Sequence, residues 1–156
     1  MSRFKNKIVL ITGAGSGIGR STALRLDKEG ATSIVVDMNA EQLKKTHLML
    51  ANPESSSRVL DISSLDDAKK CFEEINDKYG RLDALINVAG ILRFDNSHEV
   101  EISNWNKILE VNLTGTFYMC SFGLPMLLES KGCIVNVSST AALGSHAWTA
   151  AYSASK

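Results

Sequence analysis

Five short runs rich in β-branched and other apolar residues recur along the chain, and a stretch with helical spacing separates each from the next. This alternation limits the fold more than any other feature. The runs are KIVLIT at 7–12, SIVVD at 33–37, RVLD at 58–61, DALINVAG at 83–90 and CIVNVSS at 133–139. The first has no polar alternation, as expected of a strand buried on both faces. Helices are predicted over 17–30, where Gly30 stops the pattern, over 39–51, over 63–79 and over 101–129, and the last residues begin another. In 63–79 the apolar positions Leu65, Ala68, Phe72, Ile75 and Tyr79 step by threes and fours, and Ser63 with Asp66 or Ser64 with Asp67 can cap the start. Pro125 should bend the long helix or mark its weak end. NPESSS at 52–57 reads as a plain surface loop. Strands joined by helices form βαβ units, so the fold class is α/β with a doubly wound parallel sheet.

At 156 residues the chain is the size of one domain. Its 17 Lys and Arg balance its 17 Asp and Glu, which argues against nucleic acid or an anionic membrane as partner. Cys71, Cys120 and Cys133 contain no C-x-x-C pair and read as free thiols of a reducing, cytoplasmic setting. The apolar runs are short for a membrane span or a signal segment. His47, His98 and His146 lack metal-ligand spacing.

The first strand runs into TGAGSGIG, Thr12 to Gly19. The general dinucleotide pattern G-x-G-x-x-G fails, because its last position falls on Ile18. The pattern T-G-x-x-x-G-x-G fits, with Gly13, Gly17 and Gly19. The physical need is the same: a tight turn that brings backbone N–H groups and a helix N-terminus up to a pyrophosphate. Asp37 closes the second strand, where a carboxylate can accept hydrogen bonds from an adenosine ribose and repel a 2′-phosphate. Neither Ser16 nor Met38 offers a cation to that phosphate, so NAD is the expected cofactor.

With these residues in view the chain resembles the short-chain dehydrogenase/reductase family, whose motifs occur in order along its whole length. The resemblance implies a Rossmann-like sheet, of whose seven strands five are present, and a dinucleotide-binding domain over 1–156 that is incomplete at its C-terminus. It implies cofactor contacts from Gly13, Ser16, Gly17, Ile18 and Gly19, adenine contacts from Asp61 and Ile62, and further contacts from NVAG through Asn87, Ala89 and Gly90. Val88 departs mildly from the family's N-N-A-G. The catalytic set it implies is Asn112 in EVNLTG, Ser139 in NVSS, and Tyr152 with Lys156 in YSASK; the last two would also touch the cofactor. No metal is implied. A homo-oligomer, dimer or tetramer, is implied through the 101–129 helix.

The chemistry suits those side chains. Moving a hydride to or from carbon requires a proton at the substrate oxygen. A phenol ionises near pH 10, so it needs a cation beside it to act as a base at neutral pH. Tyr152 would be the acid and base, Lys156 its ammonium partner, Ser139 the hydrogen-bond donor to the substrate oxygen, and Asn112 the holder of a water leading from Lys156 to solvent. Ser138 is the rival to Ser139, and the spacing to Tyr152 favours Ser139. Ser138–Ser139 lacks the G-x-S-x-G of hydrolases. His146 and Trp148, with Leu92 and Phe94 opposite, can line a pocket for a partly apolar alcohol or ketone. The expected function is NAD-dependent oxidation of a secondary alcohol or its reverse. The competing readings are a 3-oxoacyl-carrier-protein reductase and a non-catalytic nucleotide-binding fragment. The 156 residues alone are expected to be a weak catalyst.

Overall fold

Successive residues of a strand point to opposite faces of a sheet, and both faces of this sheet are covered. In the computed structural model, which describes residues 2–144 and 146–156, β1 (Ile8–Thr12) sends Leu10 to one side and Val9 and Ile11 to the other. β2 (Thr32–Asp37) does the same with Ile34 and Val36 against Val35. The Leu10 side packs on Ala68, Cys71, Phe72 and Ile75 of α3 (Leu65–Tyr79) and on Met119 and Leu127 of α5 (Thr116–Ser130). The Val9 side packs on Ala23 of α1 (Gly17–Lys28) and Leu43 of α2 (Ala40–Leu48). With β3 (Ser56–Val59), β4 (Ala84–Asn87) and β5 (Cys133–Asn136), the order is β3-β2-β1-β4-β5, with every pairing parallel. The chain leaves β1 toward β2 on one side and later returns to β4 on the other. The crevice between those two connections, at the C-terminal ends of the strands, is where ligands bind in open α/β sheets.

The expected α/β class holds, and three local expectations change. β3 lies two residues earlier than the apolar run RVLD suggests. It is an edge strand with alternate residues exposed, and its pairing to β2, Ile34 with Ser56 through Asp37 with Val59, sets its limits. The 52–57 segment is no plain surface loop. Asn52 donates to the Ala31 carbonyl at 3.0 Å, and buried Ser55 accepts the Ser33 amide at 2.9 Å. Of the two expected caps of α3, the structure has Ser64, whose hydroxyl accepts the Asp67 amide at 3.2 Å. The long helix is α4 (Ile102–Leu109), then a π-helical turn at Glu110–Gly115, then α5, with Pro125 inside α5. The whole run, Ile102–Ser130, is long and apolar enough to cross a membrane by length and composition alone. Its α5 part packs on the sheet, while α4 packs against the helix at 150–155. A Cβ on Gly123 would lie 2.9 Å from Phe72 and 3.4 Å from Leu85, a closeness that only a bare backbone permits.

The opposite end of the sheet is pinned by Asp83. Its carboxylate accepts from Lys7 Nζ at 2.9 Å, the Ile8 amide at 3.0 Å, and both Nε and Nη2 of Arg81 at 2.9 and 2.7 Å. Burial works against its charge, but the Arg81 fork, the Lys7 ammonium and the Ile8 amide outweigh that and hold the carboxyl down to about 2. A carboxyl lowered on folding stabilises the fold above its unfolded pKa and loses that contribution as the pH falls through the folded value. Asp83→Asn should therefore cost about 2 kcal/mol at pH 7. The gap to wild type should close between about pH 4 and pH 2. Denaturant melts across that range test it, and a gap independent of pH would refute the ionic account.

Candidate active site

The glycine turn owes its shape to contacts that a side chain would block. Gly13 and Gly17 have φ of +65° and +49°. A Cβ on Gly13 would lie 2.8 Å from the Ala89 backbone, and one on Gly19 would lie 2.2 Å from the Gly13 carbonyl oxygen. Nothing lies within 4 Å of the space a Cβ on Gly17 would take, so the turn is open there. Ser16 precedes α1 in an extended conformation and makes no side-chain cap. The helix thus presents its first N–H groups, which lack intrahelical partners, toward the cleft. Thr12, fully buried, accepts the Val88 and Ala89 amides at 3.1 and 3.2 Å and so ties this turn to the one after β4.

Asp37 is built into the same turn. Its Oδ2 accepts the Gly15 amide at 2.8 Å and its Oδ1 the Asn39 amide at 2.9 Å. Each oxygen keeps a second lone pair for another donor. Gly15, which the motif leaves free, is therefore constrained: a Cβ there would lie 2.8 Å from the Asp37 carboxylate. Arg20 is a second residue the sequence reading passed over. It donates to Thr46 Oγ1 and Gln42 Oε1, both at 2.9 Å, and to the Gly15 carbonyl, which locks the turn to α2. Its only sequence signal was a cation just after the glycines.

A cleft of about 490 Å³ opens above the ends of β1, β2 and β4. Gly13, Ser16, Gly17, Ile18 and Gly19 form one wall, Asp37 with Met38 another, and Asp61, Ile62, Ala89 and Gly90 are among those that complete it. Burial raises the Asp61 carboxyl, but the Ser63 hydroxyl and amide and the Lys107 ammonium outweigh it, so it rests below its ordinary value. Asn87 is not on the cleft wall. It lies buried at the end of β4, donating to Asn136 Oδ1 at 2.9 Å, and its own Oδ1 has no partner among the described residues.

A second cavity, about 350 Å³, adjoins the segment after β5. Ser139, Tyr152, Phe94, His146 and Trp148 line it; Ser138 and Leu92 do not. Ser139 Oγ accepts the Ala141 amide at 3.2 Å, and its proton has no acceptor among the described residues. Tyr152 and Lys156 lie on α6 (Ala150–Ser155) and at its end. Lys156 Nζ sits 5.8 Å from the centre of the Tyr152 ring and donates to the Val137 carbonyl at 3.0 Å. Burial pushes its ammonium below the ordinary value. Gly90, on the wall of the first cleft, is approached closely by two side chains: a Cβ there would lie 3.2 Å from Asn112 Oδ1 and 3.3 Å from Lys156 Nζ.

Asn112 stands in the π-helical turn, which nothing in the residue spacing announced. Its Oδ1 accepts the Ile91 amide at 2.8 Å, and its Nδ2 donates to the Ile91 carbonyl and to Ser155 Oγ, both at 2.9 Å. Both hydrogens of the side-chain amide are thus spent, so at Asn112 a water could only donate, to Oδ1 or to the backbone carbonyl.

The family profile described as short chain dehydrogenase matches residues 7–156. The chain belongs to the short-chain dehydrogenase family. Among relatives in that family, the chain is 38% identical over 150 residues to meso-2,3-butanediol dehydrogenase of Serratia marcescens, covering 96% of this chain and 59% of that one. It is 40% identical over 161 residues to 3beta-hydroxysteroid dehydrogenase of Mediterraneibacter gnavus, covering 100% and 58%. Its fold superposes on the crystal structure of NAD+-bound xylitol dehydrogenase with a TM-score of 0.95 at 32% identity, covering 99% of this chain and 61% of that one. This short-chain dehydrogenase sequence therefore spans about three-fifths of the length of these relatives. Among the described residues no group of three or more His, Cys, Asp or Glu converges as for a metal.

Proposed function

We propose that residues 7–156 are the dinucleotide-binding part of an NAD-dependent oxidoreductase that interconverts a secondary alcohol and its ketone. The observation that carries this reading is the junction at Gly90, where the glycine-turn cleft meets the side chains of Asn112 and Lys156. The cleft suits a dinucleotide: an uncapped helix N-terminus for the pyrophosphate, the spare lone pairs of Asp37 for the ribose, and Asp61 with Ile62 for the adenine. A bound nicotinamide would supply or accept the hydride. The chain's own residues handle the proton. The Tyr152 hydroxyl gives it to the carbonyl oxygen in reduction and takes it from the alcohol in oxidation. The Ser139 hydroxyl donates to that same oxygen and fixes its position. The Lys156 ammonium favours the phenolate by its charge.

The second cavity suits a partly apolar substrate. The Thr149 hydroxyl is spent on the His146 carbonyl at 2.9 Å and on Ser153 at 3.0 Å, while Phe94, Ala141, Ala147 and Trp148 offer apolar surface. Exposed Phe117, Leu124 and Leu128 on α5 support association into a homo-oligomer.

In the full-length protein, NADH should bind more tightly than NADPH, because Asp37 would face the 2′-phosphate and Arg20 is already held by Thr46, Gln42 and Gly15. Asp37→Ala should erase that preference. Fluorescence titration with both cofactors is the measurement, and tighter NADPH binding by the unaltered protein would refute the assignment. A rate panel of cyclohexanol, a 3β-hydroxysteroid, 2,3-butanediol and xylitol with NAD+ tests the reaction. Turnover of none of them, and of none of their ketones with NADH, would sink the oxidoreductase reading.

A further inference from the structure

We infer that Ser155 is a positioning residue, which passes the hold of Asn112 on to the helix that bears Tyr152. The inference rests on the proposed role of Tyr152. Ser155 is 7% exposed and Asn112 4% exposed, so the bond between them is shielded from water. Asn112 Nδ2 donates to Ser155 Oγ at 2.9 Å across 43 residues of sequence. An amide nitrogen can only donate, so the Ser155 hydroxyl proton must go elsewhere. It goes to the Tyr152 carbonyl oxygen at 2.7 Å. The result is a one-way relay, amide to hydroxyl to carbonyl, in which each bond polarises the next.

A serine bonding back to the carbonyl three residues earlier is common in helices and by itself says little. Here the same hydroxyl also receives a donor from a different element, and that donor is itself clamped. The other two bonds of the Asn112 amide grip the Ile91 backbone, one residue beyond Gly90. Ser155 therefore closes a chain of contacts from the floor of the cleft, through the π-helical turn, to the backbone of Tyr152. Helix α6 begins at Ala150 without a side-chain cap. Beside this relay, Lys156 Nζ donates to the Val137 carbonyl at 3.0 Å and Ser138 Oγ donates to the Lys156 carbonyl at 3.1 Å.

Reactivity falls steeply when reacting groups are displaced by even about 1 Å. In the full-length protein Ser155→Ala should lower kcat roughly tenfold, a fraction of the penalty for a full 1 Å displacement. The NADH dissociation constant and the substrate KM should hardly change. The pH at which alcohol oxidation reaches half its maximum should rise, because Lys156 would no longer be held as firmly against Tyr152. Ser155→Thr keeps the hydroxyl and should restore the pH profile; Ser155→Cys, a weak acceptor, should not. If the two residues act through one bond, Ser155→Ala added to Asn112→Ala should cost almost nothing more. The assays use the panel member with the highest wild-type rate.

Tyr152→Phe is measured alongside. Loss of turnover in Tyr152→Phe with a wild-type kcat and pH profile in Ser155→Ala overturns the Ser155 inference and leaves the proposed function standing. Ordinary turnover in Tyr152→Phe overturns both. If Ser155→Ala fails to melt cooperatively, the Thr and Cys variants decide, and equal kcat and pH profiles for those two refute the relay. Additive losses in Asn112→Ala and Ser155→Ala also refute it.

Discussion

Replacing Tyr152 with phenylalanine in the full-length protein should cut turnover by on the order of 10²–10⁴-fold, the range expected for a positioned general acid and base. Cofactor binding should survive. The substitution removes one oxygen from the wall of the second cavity, whereas the glycine turn, Asp37 and Asp61 line the other cleft. The Tyr152 carbonyl, which accepts from Ser155, is backbone and stays in place. The ring beneath the Lys156 ammonium also remains. Steady-state rates in both directions, with NADH binding followed by fluorescence, separate the two effects. Turnover within a few-fold of wild type would remove Tyr152 from the reaction. Loss of NADH binding in step with turnover would point to a structural role instead.

The second large effect is expected at Gly19. A Cβ built there would lie 2.2 Å from the Gly13 carbonyl oxygen, 2.7 Å from its carbon and 3.0 Å from the Ala14 Cα. All three are backbone atoms of the turn, so no side chain can swing aside to make room. Gly19→Ala must push α1 away from the turn. Overpacking of this kind costs about 1–3 kcal/mol, and NADH affinity should fall at least roughly tenfold, since displaced N–H groups no longer converge on a pyrophosphate. Gly17→Ala is the control. Its φ of +49° is unfavourable for alanine by about 1–2 kcal/mol, yet nothing occupies the space its methyl would enter. Its melting temperature should fall modestly. Calorimetry and NADH titration of both variants check this, and equal affinity in Gly19→Ala and wild type would show that the close approach is irrelevant to binding.

Much of this architecture can be read from residue order, because its causes are local. A β-branched run such as KIVLIT can be buried on both faces only as an inner strand, and the threes and fours of Leu65 to Tyr79 produce a helix with one apolar face wherever it lies in the fold. The same holds for the glycine turn, since Gly13 and Gly17 need backbone angles that other residues disfavour. These features depend on neighbours a few positions away, and the sequence alone determined them.

Where the cause lies far along the chain, only the tertiary structure could decide. The extent of β3 follows from its ladder to β2, since an exposed edge strand needs no apolar run to mark its start. Gly15 mattered only once Asp37, 22 positions on, closed over it. The π-helical turn leaves no periodic mark, because one wider turn barely disturbs the spacing of apolar residues around it. Asn112 could thus be picked out by its motif, yet its partners, the Ile91 backbone and Ser155, could not. A hydrogen bond is specific in distance and direction but carries no signature in composition. Which donor meets which acceptor across 43 residues is settled only when the sheet order brings the two helices side by side.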